Sequence, residues 1–393
     1  MSEADAVYAF FCAFAVAAVL TPLTARLARR VGAVDHPKER GLGAGSTPLL
    51  GGVLVASALF LDFGGATSDR FKGILAGAIV ISIVGALDDR FDLPPGVKLA
   101  GQVGAAVIPV AAGVEVTNIT LPFIGAVSFG SAGGPITVVA LVGVMNVVNF
   151  SDGIDGLAAG VCAISAIAFS ILAFDLERNH AGVFAALTAG AALGFLIHNF
   201  YPASVYMGDC GSNLLGLLLG CVAVEGAVKT QAVLALLFPL VVLAVPFLDT
   251  TFVLLKRVKY GRPVYRADAN HFHHRFSRIG FSQRRTVLYL YAWTILLGGF
   301  AVALRFVPYS DHHGNFDAPW TAAVIVMGTL VVAASFYLVY VLEILKFKRL
   351  DTIRLRRAGA SDDEIDEDVA RRLETGEFEQ VRRETEEFDA IRE

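Results

Sequence analysis

The chain has 393 residues, of which 55% are hydrophobic and 17% are charged. A soluble domain usually carries more charge than this, and repeated apolar runs of bilayer length predict a protein that crosses a membrane many times. The formal net charge of −4 is uneven, because the stretch from Gly359 to the end holds 14 acidic and 5 basic residues. The acidic charge therefore belongs to a tail, and we expect no nucleic-acid partner.

The apolar runs predict an all-α polytopic membrane protein with about eleven transmembrane helices. They lie near residues 5–25, 46–63, 72–88, 98–113, 133–150, 156–175, 181–200, 212–227, 231–255, 285–307 and 318–346. The connections 26–45 and 256–285 are rich in Lys and Arg, and positive charge marks the cytoplasmic side. This predicts an N-terminus outside and a C-terminus in the cytoplasm.

Two further features complete the predicted organisation. The segment 114–129 alternates loosely between apolar and polar residues and contains Pro122 and Gly125, which predicts a small β-hairpin on the outer face. Residues 1–346 form the predicted membrane domain, and residues 347–393 form a charged cytoplasmic tail. We expect residues 359–393 of this tail to be dispensable for catalysis.

The predicted topology places the polar clusters on one side of the membrane. Asn146, Asn149, Asp152 and Asp155 recur every three residues where an apolar run ends, and this spacing puts them roughly on one face of a helix. Charged groups at a membrane helix are costly and usually functional. The alternative interpretation is a polar loop between two membrane helices.

A second cluster of carboxylates lies in the predicted loop 88–98. Asp88, Asp89 and Asp92 form the pattern D-D-x-x-D, and on a helix Asp88 and Asp92 would share a face. A divalent cation would relieve the repulsion between such carboxylates, and hard oxygen ligands favour Mg²⁺, with Mn²⁺ as the alternative. The alternative interpretation of the aspartate pair is a solvated helix cap.

Asp209 is predicted to lie in a tight turn between Gly208 and Gly211, before a helix that starts near Ser212. The N-terminus of a helix offers free N–H groups and a positive dipole to a phosphate. Together with the other clusters, this turn predicts a basin suited to phosphoryl transfer, in which positioning and charge neutralisation do most of the catalysis.

The basic loop 256–285 contains His271, His273 and His274 beside Arg275. Three histidines are compatible with a zinc site. Because no cysteine lies nearby and arginines flank the histidines, the sequence favours phosphate binding over a metal. A membrane-surface loop without a ligand is the third interpretation.

These motifs, in this order, resemble those of the polyprenyl-phosphate N-acetylhexosamine-1-phosphate transferases. The resemblance covers roughly residues 35–285 and implies a multispanning enzyme that moves a sugar-1-phosphate from a UDP-sugar onto a polyprenyl phosphate and releases UMP. The pattern His271-Phe-His-His-Arg275 resembles the branch that uses UDP-N-acetylglucosamine. The branch that transfers the muramoyl-pentapeptide phosphate has three consecutive histidines instead.

The resemblance also implies roles for individual residues. Asp209 matches the family's Mg²⁺ ligand, and the paired aspartates are implied to act as general base, nucleophile or acceptor positioners. The residues expected to be catalytic are Asp88, Asp89, Asp152, His273, His274 and Arg275. The residues expected to bind substrate are Asn149, Asp155, Asn199, Tyr206, His271, Lys98 and Arg40.

One loop departs from the family pattern. The family usually has Arg-Lys-x-His in its first cytoplasmic loop, whereas this chain has Arg40-Gly41-Leu42-Gly43. Lys38 or Arg40 is the expected replacement for the nucleotide contact. A uracil ring is expected to stack on Tyr206, where the family often has Phe.

The expected partners are UDP-N-acetylglucosamine, polyprenyl (undecaprenyl) phosphate and the lipid of the bacterial cytoplasmic (inner) membrane, and a homodimer is left open. The same reaction with UDP-MurNAc-pentapeptide is one alternative. A lipid or ion transporter is another, but transporter sites usually lie near the midplane between repeats, and here the charges are predicted at one membrane edge. A catalytically inactive membrane scaffold is the third.

Overall fold

The computed structural model describes residues 2–30, 69–121, 125–227, 282–307, 317–333 and 335. Those ranges contain the helices α1 Glu3–Arg30, α2 Asp69–Phe91, α3 Pro95–Ala111, α4 Gly133–Ser151, α5 Leu157–Asp175, α6 Asn179–Asn199, α7 Gly208–Ala227, α8 Gln283–Phe306 and α9 Ala318–Ala333. The predicted helices 46–63 and 231–255, the loop 256–281 and the tail 347–393 lie outside the described residues.

Among the described residues, six helical segments are long and apolar enough to cross a membrane. They are Glu3–Leu23, Asp69–Phe91, Gly130–Ser151, Leu157–Asp175, Asn179–Asn199 and Gln283–Phe306. The chain is therefore a mostly helical, multi-pass membrane protein. The total of eleven helices and the orientation of the termini stay predictions.

Helix α7 lies at the centre of the packed helices and contacts α2, α4, α5 and α6. Its residues Leu214, Leu215, Leu217 and Leu218 are fully buried. The approach to α4 depends on a small residue, because a Cβ atom on Gly216 would lie 2.5 Å from the Cα of Met145. Small residues allow membrane helices to pack closely, and this packing fixes the start of α7 against the end of α4.

Two helix ends differ from the sequence prediction. Helix α2 continues to Phe91, so Asp88 and Asp89 belong to its last turn rather than to a loop. Asp92 follows the helix with a φ of 53°, so the prediction that Asp88 and Asp92 share a helix face is wrong. Helix α7 begins at Gly208 and not near Ser212, which puts Asp209 in its first turn. Apolar runs locate the bilayer core and not the helix ends.

A two-stranded antiparallel sheet lies between α3 and α4. It consists of β1, Asn118–Leu121, and β2, Gly125–Ser128, with Asn118 opposite Ser128 and Leu121 opposite Gly125. Residues 122–124 of the connection lie outside the described residues. The side of the membrane on which this pair lies stays a prediction.

Candidate active site

Polar side chains from four helix ends meet on one side of the bundle. The last turn of α2 supplies Asp88 and Asp89, the first turn of α3 supplies Lys98, the last turn of α4 supplies Asn149, and the first turn of α7 supplies Asp209. Direct contacts link all five side chains or the backbone beside them. We call this group the Asp209 cluster.

Lys98 is the cation of the Asp209 cluster. Its Nζ lies 2.9 Å from Oδ2 of Asp88 and 2.8 Å from Oδ1 of Asp209. It also donates to Oδ1 of Asn149 at 3.4 Å. The side chains of Asp88 and Lys98 are 6% and 22% exposed, so these charges are poorly screened by water, and removing one partner would leave the others uncompensated. Lys98 therefore holds two carboxylates together that would otherwise repel each other.

Asp89 caps the N-terminus of α7. Its Oδ1 accepts the backbone N–H of Asp209 at 2.7 Å, and its Oδ2 accepts the N–H of Cys210 at 3.1 Å. Gly208 has a φ of 65°, and a Cβ atom there would lie 2.7 Å from Asp89 Oδ2. The sequence predicted that N–H groups at the start of this helix would bind a phosphate. Two of them instead donate to the carboxylate of Asp89, which satisfies two backbone donors that have no partner within the helix.

Asn149 connects the end of α4 to the start of α7. Its Nδ2 donates to Oδ1 of Asp209 and, at 2.9 Å, to Oγ of Ser212. One turn earlier, Asn146 exchanges hydrogen bonds with Gln102, which in turn donates to Oδ1 of Asn213 at 2.7 Å. Asn146 and Asn149 therefore share a face of α4, as their spacing predicted, and the deeper amides hold α3, α4 and α7 in register.

Helix α4 ends at Ser151, so Asp152 and Asp155 lie in the loop 152–156, and the prediction that they share a helix face with Asn146 and Asn149 is wrong. Asp152 is partly buried, and its pKa is raised to about 8 by burial and by the negative charges of Asp209, Asp89 and Asp155. Asp155 accepts the backbone N–H of Ala203 at 2.9 Å. Burial also raises the pKa of Asp155, and the bond from Ala203 opposes that shift. Burial and the neighbouring negative charges therefore disfavour the ionised form of Asp152.

Asn199 and Tyr206 come from the end of α6 and the segment after it. Asn199 is 2% exposed. Its Oδ1 accepts the N–H of Gly156 at 3.1 Å, and its Nδ2 donates to the carbonyl of Val205 at 2.9 Å. Tyr206 is partly exposed between the buried Val205 and Met207. Asn199 therefore connects the loop 152–156 to the segment before α7. Part of the Tyr206 side chain remains accessible.

The remaining predicted site residues lie outside the described part of the chain. They are Arg40, His271, His273, His274 and Arg275. Their roles stay predictions.

The donor chemistry of the Asp209 cluster fits a hard divalent cation. Within the described residues, no group of three or more His, Cys, Asp or Glu side chains is arranged to hold a metal. Mg²⁺ commonly uses only one or two protein carboxylates and keeps several waters. Asp209 and Asp88 supply such oxygens. Burial and, after it, the negative charges of Asp209 and Asp89 raise the pKa of Asp152. These residues fit Mg²⁺ better than the softer metals.

Tyr291 of α8 also reaches the loop 152–156, and it was not among the residues predicted from the sequence. Its hydroxyl donates to the carbonyl of Gly156, and its ring lies where a Cβ atom on Gly160 would clash, 2.0 Å from the hydroxyl oxygen. A tyrosine in an apolar helix carries no sequence signal for such a contact, because helical spacing alone does not reveal which loop the side chain reaches.

Comparisons with known proteins agree with this arrangement of motifs. Residues 71–227 match the family model described as glycosyl transferase family 4. The chain is 32% identical over 303 residues to the "Probable undecaprenyl-phosphate N-acetylglucosaminyl 1-phosphate transferase" of Bacillus subtilis, which covers 76% of this chain and 85% of that protein. It is 36% identical over 341 residues to the "Decaprenyl-phosphate N-acetylglucosaminephosphotransferase" of Mycolicibacterium smegmatis, with 78% and 81% covered.

A relative from the other branch is also similar. The "Phospho-N-acetylmuramoyl-pentapeptide-transferase" of Desulforudis audaxviator is 32% identical over 324 residues, which cover 73% of this chain and 92% of that protein. The helical architecture, the ordered carboxylate motifs and these relatives lead to one conclusion: the chain belongs to glycosyl transferase family 4.

Proposed function

We propose that the protein transfers N-acetylglucosamine-1-phosphate from UDP-N-acetylglucosamine to a polyprenyl phosphate and releases UMP. The observation that carries this proposal is the Asp209 cluster, in which Lys98 lies between Asp88 and Asp209 at one end of the helix bundle. Relatives named as N-acetylglucosamine-1-phosphate transferases of undecaprenyl and decaprenyl phosphate support the choice of donor and acceptor.

In the proposed reaction, an oxygen of the acceptor phosphate attacks the β-phosphorus of the UDP-sugar. The bond from that phosphorus to the bridging oxygen breaks, and the bridging oxygen leaves with UMP. Little covalent chemistry is required of the protein, so positioning and charge neutralisation carry most of the catalysis. Lys98 would neutralise phosphate charge, and Asn149 would orient Asp209 through its bond to that carboxylate.

Mg²⁺ is the proposed cofactor, with Mn²⁺ as the alternative, and Asp209 is its proposed ligand. When bound, a divalent cation stabilises the charge of the diphosphate and of the leaving UMP. Within the described residues Asp88, unlike Asp89, accepts no backbone hydrogen bond from the start of α7. Its ion pair with Lys98 keeps it beside Asp209. We therefore assign Asp88, rather than Asp89, to the acceptor phosphate.

The proposed location is the bacterial cytoplasmic membrane, with the site facing the cytoplasm. The support is the Lys and Arg content of the connections 26–45 and 256–285, which marks those connections as cytoplasmic. UDP-sugars are made in the cytoplasm, so this orientation would give the site access to its donor.

The test is UMP release by detergent-purified protein. We expect release from UDP-N-acetylglucosamine only when a polyprenyl phosphate is added, and little or none from the muramoyl-pentapeptide donor. Comparable rates on both donors would show that this site does not select the sugar. UMP release that is independent of the lipid, or no release at all, would contradict the proposed reaction.

A further inference from the structure

The loop 152–156 is held by uncharged side chains from two helices that carry none of its carboxylates. The N–H of Gly156 donates to Oδ1 of Asn199 at 3.1 Å. The carbonyl of Gly156 accepts the Tyr291 hydroxyl. The same carbonyl accepts the N–H of Gly160 at 3.0 Å in the first turn of α5. Both the N–H and the carbonyl of Gly156 are thus hydrogen-bonded.

The fit around Gly156 requires glycine and leaves little room for adjustment. Its φ is 80°, and an added Cβ atom would lie 3.2 Å from the ring of Phe200. An L-residue rarely adopts such a φ, so another side chain would be strained there. Gly160 presses directly against the Tyr291 ring. The contact is therefore a close packing of α8 on the start of α5, with the hydroxyl aimed at the loop.

Helix α8 makes a second contact near this loop, with the segment that follows α6. Arg284, near the start of α8, donates to the carbonyl of Tyr201 at 3.3 Å, and its guanidinium lies 5.7 Å from the centre of the Tyr201 ring. Two residues further, Ala203 donates to Asp155. Helix α8 therefore contacts both segments that border the carboxylates of the loop, through Tyr291 on one side and Arg284 on the other.

We infer that Tyr291 and Asn199 are positioning residues, which fix Gly156 and thereby place Asp152 and Asp155 toward the UDP-sugar. This inference rests on the proposed function, since it assigns these two carboxylates to the donor side of that site. Asp155 immediately precedes Gly156 and accepts the N–H of Ala203 at 2.9 Å, so a shift of the backbone at Gly156 would move this carboxylate. The two uncharged hydrogen bonds to Gly156 fix the backbone of the loop without neutralising its carboxylates.

The test compares Tyr291→Phe with the full-length protein in detergent. The variant keeps the ring that fills the space at Gly160 and removes only the hydroxyl. Loss of one buried hydrogen bond should lower kcat/KM for UDP-N-acetylglucosamine by about tenfold. The KM for polyprenyl phosphate should stay within about twofold. An equal rise in the KM values of both substrates would indicate a structural role and overturn the inference.

A matched control removes a comparable bond elsewhere. Thr188 is buried in α6 and donates its hydroxyl to the carbonyl of Phe184 at 2.9 Å. Thr188→Val should leave both kinetic parameters unchanged. A loss for Thr188→Val equal to that for Tyr291→Phe would show that any buried hydroxyl of the bundle has the same effect, which would contradict a specific role for Tyr291.

A double variant tests whether both residues act on the same glycine. If they do, combining Tyr291→Phe with Asn199→Ala should cost less than the product of the single losses, because either change alone already frees the loop. Losses that multiply would show that the two residues act independently.

Hydrogen exchange measured by mass spectrometry separates this inference from the proposed reaction. In Tyr291→Phe the peptide that contains Gly156 should exchange its amide hydrogens faster than in the wild type, whether or not the protein releases UMP. Unchanged exchange in this peptide would overturn the inference. Absence of lipid-dependent UMP release from the wild type, with faster exchange in the variant, would overturn the proposed reaction alone.

Discussion

The Asp209 cluster and the loop 152–156 lie close together, but they differ in which groups the protein has already satisfied. In the cluster the carboxylates are bonded: Asp89 accepts two backbone N–H groups, and Asp209 meets Lys98 and Asn149. In the loop the backbone of Gly156 is bonded on both sides, whereas Asp152 faces like charges. The protein thus fixes one part through its charges and the other through its main chain.

This difference separates structural carboxylates from carboxylates that await a partner. An ionised carboxylate has about four acceptor sites, and Asp89 already uses two of them on backbone N–H groups of α7. Asp152, whose pKa is raised to about 8, gains most from a cation or a hydrogen-bond donor that arrives with the substrate. Strongly perturbed groups of this kind cluster at functional sites.

The largest effect is expected at Asp209. Asp209→Asn removes the charge that meets Lys98 and that we assign to Mg²⁺, so turnover should fall on the order of 1000-fold while the protein stays folded. The control is Glu225→Gln at the opposite end of α7, where Glu225 pairs with the exposed Arg70. Steady-state UMP release measures both variants, and near-normal activity of Asp209→Asn at limiting Mg²⁺ would refute its assignment as the metal ligand.

A smaller difference should separate the two neighbouring aspartates. Asn is as good a helix cap as Asp, so Asp89→Asn can keep part of its contact with the start of α7. Asp88→Asn loses the charge that faces Lys98. We expect Asp88→Asn to reduce kcat by about tenfold more than Asp89→Asn.

Thermal unfolding provides the check on this pair. Asp89→Ala should lower the melting temperature by removing the cap, at a cost of about 1 kcal/mol, whereas Asp89→Asn should change it little. If Asp89→Asn were as inactive as Asp209→Asn with an unchanged melting temperature, Asp89 would be a reactive group and not a cap.

The smallest expected change is in the melting temperature and concerns the loop 152–156. Asp152→Asn should abolish most activity yet raise the melting temperature by roughly 2 °C. The pKa of Asp152 is raised from 3.8 to about 8 in the folded protein, so the unfolded chain loses this proton first, and the wild type loses stability as pH rises between those values. The advantage of the variant should therefore grow as the pH rises from about 4 to about 8. Melting curves of the variant and the wild type across that range test this prediction. A difference in melting temperature that is the same at all pH values would contradict a raised pKa of Asp152.

The sequence predicted which residues meet, but not how they are bonded. Asn146 and Asn149 have the spacing of one helix face and do share it, and Lys98 was expected at the substrate and lies between two carboxylates. The end of α2 was predicted too early, because hydropathy falls at Asp88 while the helical hydrogen bonds continue to Phe91. The cap at Asp89 follows from that extension and was out of reach of the prediction.

Contacts over long sequence separations were also beyond prediction. Asn199 was expected to bind substrate, and the structure bonds its amide to Gly156 and Val205. Tyr291 lies 135 residues from Gly156, and periodicity within α8 says only which face is apolar. Such contacts depend on how the helices pack, which a single sequence does not fix.

The fate of the β-phosphorus of the donor tests the central claim most directly. With UDP-N-acetylglucosamine labelled with ³²P at the β-phosphate, purified protein and polyprenyl phosphate should give labelled lipid and an equal amount of unlabelled UMP. Asp209→Asn should give neither product. Label that stays in UDP while the sugar alone appears in the lipid would contradict a phosphosugar transfer.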